Sequence, residues 1–157
     1  MSTFALPQKF QNWINKRNWG LHTHQIDVLT NSDRKSQLLI APTGSGKTLS
    51  GFLPTLIELD RVNFSGLHTV YVSPLKALAA DIKRNLMIPI EEMGLNIKVE
   101  DRTGDTTAKT KRRQRIDPPQ ILLTTPESLA LLISFPEANA LFANLERIII
   151  DEIHALV

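Results

Sequence analysis

No cysteine occurs anywhere in the 157 residues, which excludes disulfide staples and thiolate metal centres. No apolar run approaches the ~20 residues that a membrane-spanning helix needs, so no membrane partner is expected. The opening MSTFALPQKF lacks the basic stretch and apolar core of a secretory leader, and a cytoplasmic location is the expectation. Neither sign of charge dominates: 18 basic residues stand against 16 acidic ones, a balance too even to argue for nucleic acid by itself. Internal repeats and low-complexity linkers are missing too. What remains is 42% hydrophobic and 22% charged, the composition of one globular domain with enough chain to bury a core.

The hydrophobic pattern changes period along the chain. LPQKFQNWINKRNW spaces Phe10, Trp13, Ile14 and Trp19 as a helix does, with Pro7 placed to open it. THQIDVLT reads as a second short helix capped by Thr23. From there a rhythm of strand then helix recurs about five times. SQLLI leads to KTLSGFLPTLIEL, HTVYV to SPLKALAADIKRNL, and NIKVE through the turn DRTGD to TAKTKRRQRI. QILLT then leads to TPESLALLIS, and RIIID to EIHAL. Such alternation predicts an α/β fold, a mainly parallel sheet with helices on both faces. The near-continuous apolar run RIIID fits a central strand buried on both sides. In such sheets every strand-to-helix turn emerges at one edge, where ligands bind. APTGSGKT, SPLK, RTGD, TPES and DEIH should therefore gather there.

Each of these turns has its own chemistry. APTGSGKT, Ala41 to Thr48, has the context of a phosphate loop: an apolar strand before it and a helix after it. Gly44 and Gly46 let successive N–H groups turn inward around a phosphate, and the new helix adds its positive end. Lys47 would reach the β- and γ-phosphates, and the Thr48 hydroxyl would hold magnesium. Thr43 and Ser45 complete the loop. Ala41 stands where the general pattern has glycine, and a small side chain fits there. About a hundred residues on, Asp151 ends a buried strand where it could hold magnesium, and Glu152 could deprotonate a water. The plainer alternative is two acids favouring the N-terminus of the next helix. An amide such as Gln25 could read an adenine edge or simply be an exposed helix residue. His154 taken alone suits a structural role.

SPLK and TPES repeat one design. Ser73 and Thr125 would cap helices with Pro74 and Pro126 at the first helical position. Such junctions also leave N–H groups and hydroxyls able to grip a nucleic-acid backbone. Arg102 with the glycine turn at Gly104 belongs to the same class. The basic run Lys109 to Arg115 is either a solvated helix face or a nucleic-acid contact.

Taken in order, HTHQ, APTGSGKT, YVSPLKALAADIKRNL, RTGDT, ILLTTPESLALLIS and IIIDEIHAL resemble the first motor domain of superfamily 2 helicases. More narrowly they resemble the large helicase-related (Lhr) DEXH-box proteins, including their ligase-associated branch. The resemblance implies a RecA-like P-loop NTPase domain and ATP-driven movement along DNA, as a single strand or duplex end, with ATP and magnesium at the site. By that resemblance Gln25 reads adenine, and Thr43, Gly44, Ser45, Gly46, Lys47 and Thr48 bind the phosphates. Asp151 and Glu152 serve magnesium and water, and His154 couples the nucleotide site to the rest of the motor. Ser73, Pro74, Lys76, Arg102, Thr103, Gly104, Thr125, Pro126 and Glu127 fall in its DNA-tracking segments. The expected division is residues 1–32, helices with the adenine-recognition motif, and 33–157, a C-terminally incomplete RecA-like domain. The family's Ser-Ala-Thr strand and its second RecA-like domain are not in this sequence. That second domain carries an arginine worth roughly 10³–10⁵ in rate in related phosphoryl transfer. The expectation is thus an N-terminal helicase fragment with little hydrolysis of its own; the alternative is a non-catalytic binding module that acts with a partner chain.

Overall fold

The structure, a computed structural model, describes residues 5–42 and 44–155. Helix α1 (Gln8–Lys16) follows Pro7 and buries Phe10, Trp13 and Ile14, an i, i+3, i+4 stripe facing the core. Helix α2 (Thr23–Thr30) starts after His22, not after a Thr23 cap. Gln25 closes its first turn by accepting from the His22 N–H at 2.9 Å. Helix α3 (Lys47–Arg61) buries Phe52, Leu53, Leu56 and Ile57.

The sheet follows. Strands β1 (Thr69–Val72), β2 (Val99–Arg102), β3 (Ile121–Thr124) and β4 (Arg147–Ile150) pair in the order β2-β3-β1-β4, and each pair is parallel. Between them run α4 (Lys76–Glu92), α5 (Ala108–Ile116), α6 (Pro126–Ile133) and α7 (Ala138–Leu141), a short helix the sequence pattern had not suggested. Alternate residues of the central strands enter opposite cores, as the two-residue strand period requires. Tyr71, Ile121 and Leu123 pack with α1, α3 and α4. Val70, Val72 and Leu122 pack with Leu132 of α6 and Leu141 of α7. The expected α/β architecture, helices on both faces of a parallel sheet, is present.

Five expectations are corrected. SQLLI is not a strand: residues 36–42 have no regular structure, and Leu38 and Ile40 are 74% and 85% exposed. A strand persists only where a neighbour takes its backbone groups, and no strand pairs with this segment among the described residues. RIIID is not central. β4 pairs with β1 alone, which leaves Ile148 and Ile150 exposed. Helix α4 opens after Leu75 without a side-chain cap, so Ser73 and Pro74 belong to the loop before it. Strand β2 starts three residues into NIKVE, at Val99, and ends two residues beyond it, taking in Asp101 and Arg102. The described part of EIHAL is a single 3₁₀ turn, Ile153–Ala155.

Leu123, fully buried at the sheet's centre, and the exposed Ile148 should therefore respond differently to truncation. Leu123→Ala is expected to cost about 2–5 kcal/mol, and Ile148→Ala under about 1 kcal/mol, by chemical denaturation. Equal losses would contradict the placement of β4 at the edge.

Candidate functional site

The parallel register decides where the loops go. Arg102 pairs with Thr124, Thr124 with Val72, and Val72 with Ile150. All four strands therefore end level, and Thr103, Thr125, Ser73 and Asp151 leave the sheet side by side. RTGD, TPES, SPLK and DEIH line up along that edge in this order.

The glycine loop joins the edge at the β4 end. Gly44 and Gly46 both adopt left-handed backbone, with φ of 79° and 77°, a region open to glycine at little cost. The Ser45 hydroxyl closes the turn on the Pro42 carbonyl at 2.7 Å, and Gly46 is the cap from which α3 departs. Thr43 lies outside the described residues. The Gln25 amide packs on the loop from α2. Its Nε2 donates to the Gly46 carbonyl at 3.4 Å, and a Cβ at Gly46 would fall 2.8 Å from that nitrogen. An amide carries two donors and two lone pairs, so one donor and one lone pair of Gln25 remain free. A cavity of about 860 Å³ opens here, and Gln25, Gly46, Lys47, Thr48, Asp151 and Glu152 all line it.

The same cavity continues between Trp13 and Trp19 of the N-terminal arm. Their rings meet edge to face at 5.6 Å. Arg17 lies 4.7 Å from the Trp19 ring centre and pairs with Glu92 at 2.6 Å. The sequence reading had not counted these aromatics as site residues. Their signal was an aromatic just upstream of Gln25.

Asp151 is held from three directions. Its N–H donates to the Val72 carbonyl at 3.0 Å, continuing the ladder past β4. Its Oδ1 accepts the Glu152 N–H at 2.9 Å, and its Oδ2 accepts the hydroxyl of Tyr71. Burial first, and then the bond to Asp151, push the Tyr71 phenol well above its ordinary range, so it stays protonated and donates. Glu152 adopts φ of 49°, uncommon for a side chain of its size. That turn directs its N–H to Asp151. His154 is 77% exposed, with Nδ1 3.4 Å from Glu152 Oε2, and stands outside the cavity. Tyr71 was missed by sequence reading, although a phenol inside a buried strand always raises the question of its partner.

Along the rest of the edge the candidates separate into outward and inward groups. Ser73, Arg102, Thr103 and Thr125 are buried. Thr125 caps α6 by accepting the Ser128 N–H, with Pro126 in the first turn, as expected. The Arg102 guanidinium donates to the Lys111 carbonyl at 2.9 Å and to Gln114 at 3.3 Å, and burial lowers its pKa. That guanidinium ties β2 to α5. Lys76, Gly104 and Glu127 are exposed. Lys76 Nζ pairs with Asp105 at 3.1 Å and lies 3.0 Å from where a Gly104 Cβ would be. The basic run is neither a bare solvated face nor a free patch. Arg113 pairs with Glu100, Arg115 covers the Phe135 ring, and Lys111 donates to the Gly104 carbonyl. Lys109 and Arg112 face solvent.

Known proteins resemble this chain in sequence and in fold. The family model described as DEAD/DEAH box helicase matches residues 22–157. The ATP-dependent helicase Lhr-Core of Methanocaldococcus jannaschii is 43% identical over 137 residues, covering 78% of this chain and 16% of that protein. The Lhr helicase/uracil glycosylase of Escherichia coli is 41% identical over 138 residues, covering 76% of this chain and 9% of that protein. The solved structure of Mycobacterium smegmatis helicase Lhr bound to ssDNA and AMP-PNP superposes with a TM-score of 0.83 at 37% identity. That match covers 95% of this chain and 20% of the other. The chain thus spans less than a fifth of the length of the curated relatives named here. Among the described residues no helix is long and apolar enough to cross a membrane.

Substitution of the two loop glycines separates strain from collision. Gly44 and Gly46 share the left-handed backbone, but an added Cβ meets nothing at Gly44 and the Gln25 amide at Gly46. Each Ala variant carries roughly 1 kcal/mol of backbone strain, and Gly46→Ala is expected to lose measurably more stability in denaturant titration. Equal losses would show that Gln25 does not rest on the loop.

Proposed function

The chain belongs to the DEAD/DEAH box helicase family, and we propose that it is the ATP-binding motor domain of an Lhr-type, ATP-dependent DNA helicase. The observation that supports this reading is the meeting of Gln25, Lys47, Thr48, Asp151 and Glu152 around one cavity, although they span more than a hundred residues of sequence. Residues 1–32 act as the base-reading arm and 33–157 as the RecA-like body. Gln25 uses its free donor and lone pair on adenine, while the half-exposed Trp19 offers the base a face to stack on.

The loop's N–H groups and the start of α3 take the phosphates, with the Lys47 ammonium on the β- and γ-oxygens. The donors left to a metal, the Thr48 hydroxyl and the Asp151 carboxylate, are hard oxygens of the kind magnesium takes. Bound there, magnesium would offset charge on the β- and γ-phosphates. Glu152 accepts a proton from the attacking water as its oxygen bonds to the γ-phosphorus. The bond from that phosphorus to the β–γ bridging oxygen breaks, and ADP leaves with the electron pair. His154, two residues on and exposed, passes the state of Glu152 to whatever docks on this edge.

The loops after β1, β2 and β3 form the nucleic-acid side. Lys76, Gly104 and the first turn of α6 at Pro126 and Glu127 make the outward contacts. Ser73, Arg102, Thr103 and Thr125 shape those loops from within. A grip of this kind reads backbone, not sequence.

Two measurements test the reading. Lys47→Ala is expected to weaken binding of a fluorescent ATP analogue at least tenfold, whereas Glu152→Gln keeps it; unchanged binding in Lys47→Ala would sink the assignment. For single-stranded DNA, log affinity should fall linearly with log salt, and Lys76→Ala should flatten that slope by about 0.7. A slope unaffected by Lys76→Ala removes that lysine from the contact.

A further inference from the structure

Tyr71 is the only tyrosine in the chain, and it stands between the two elements that carry the proposed magnesium donors. Its position follows from the register. Tyr71 lies opposite Ile149, two residues short of Asp151, and β1 and β4 are neighbours in the sheet. The side chain is 1% exposed. Its ring stacks on Phe52 with centres 5.3 Å apart and planes at 26°, and its hydroxyl reaches Asp151 Oδ2. Phe52 comes four residues after Thr48 on α3, so the two share one face of that helix.

A buried phenol without a partner costs about 1–3 kcal/mol, and Asp151 supplies the partner. The benefit is reciprocal. A carboxylate has about four lone-pair sites. Tyr71 and the Glu152 N–H occupy one on each oxygen, which fixes the rotation of the group and leaves the others for a cation. An aspartate held at one oxygen alone could turn about its side-chain bonds. Held at both, it presents one orientation.

We infer that Tyr71 is a positioning residue: braced on Phe52 of the helix that carries Thr48, it sets the orientation of the Asp151 carboxylate and its distance from the Thr48 hydroxyl. The inference rests on the proposed role of Asp151 and Thr48 as magnesium donors. Tyr71 itself touches neither nucleotide nor metal. Its contribution is to make one geometry of the donor pair permanent before any ligand arrives, and groups that hold a metal ligand in this way typically govern ten- to a hundredfold in metal affinity.

The test compares wild type with Tyr71→Phe, which keeps the ring on Phe52 and removes only the hydroxyl. Binding of a fluorescent ATP analogue is followed while magnesium is titrated, and again in a chelator. Tyr71→Phe should need about tenfold more magnesium for half-saturation, with nucleotide affinity in the chelator unchanged. The same magnesium midpoint in both proteins overturns the inference. So does a loss that is equal with and without magnesium, since that marks a purely structural role. A second measurement needs no variant at this position. With ¹³Cζ-labelled tyrosine the chain gives a single phenol resonance, which should shift when magnesium joins bound nucleotide and stay still in Asp151→Asn. An unmoved wild-type resonance overturns the inference even if Tyr71→Phe does not fold. Wild type without any magnesium-dependent nucleotide binding overturns both the inference and the site on which it rests. Magnesium-dependent binding that ignores Tyr71 overturns the inference alone.

Discussion

Strand β1 is the constraint on which the rest of the molecule depends. It has four residues, all buried, and it is paired on both edges, to β3 and to β4. Parallel pairing fixes the height at which each neighbour ends, so β1 brings four loops to one line. Its side chains join the two cores to the sheet: Tyr71 enters one, and Val70 and Val72 the other. Its last carbonyl, on Val72, receives the Asp151 N–H. Without β1 the acids at the end of β4 and the hydroxyl loops after β1 and β3 would have no common frame.

That frame makes the two halves of the edge neighbours in mechanical terms. Val72 holds Asp151, and the next residue, Ser73, donates its N–H to the Thr124 carbonyl at 3.0 Å. Ser73 opens the short loop that leads to Lys76 at the start of α4. The proposed nucleotide end and the proposed nucleic-acid end are thus one peptide step apart along β1.

Much of this was legible in the sequence, because the signals were local. Gly44 and Gly46 announce a tight turn before a helix, and the structure has both left-handed glycines and α3 starting at Lys47. Thr125 and Pro126 announce a helix start that the structure repeats. The errors arose where the outcome depends on a neighbour. SQLLI has the right residues for a strand but pairs with none among the described residues, and RIIID reads as central although a single strand pairs with it. The charge of Arg102 is visible in sequence, while its burial against α5 is not. Tyr71 was overlooked for the converse reason. Its partner is 80 residues away, and only the sheet register brings the two together.

The exposed flank of β4 has a consequence beyond the site. No strand lies along its outer side among the described residues, Ile148 and Ile150 stand open there, and the unpaired Leu38 and Ile40 add more bare apolar surface. A short parallel strand in this condition is a template, ready to take up any extended chain that offers matching backbone groups. Handling of the protein is then governed by competition for that seam. At high concentration the available chain would be another copy of itself, and the edge farthest in the sheet from β2 is where pairing would start.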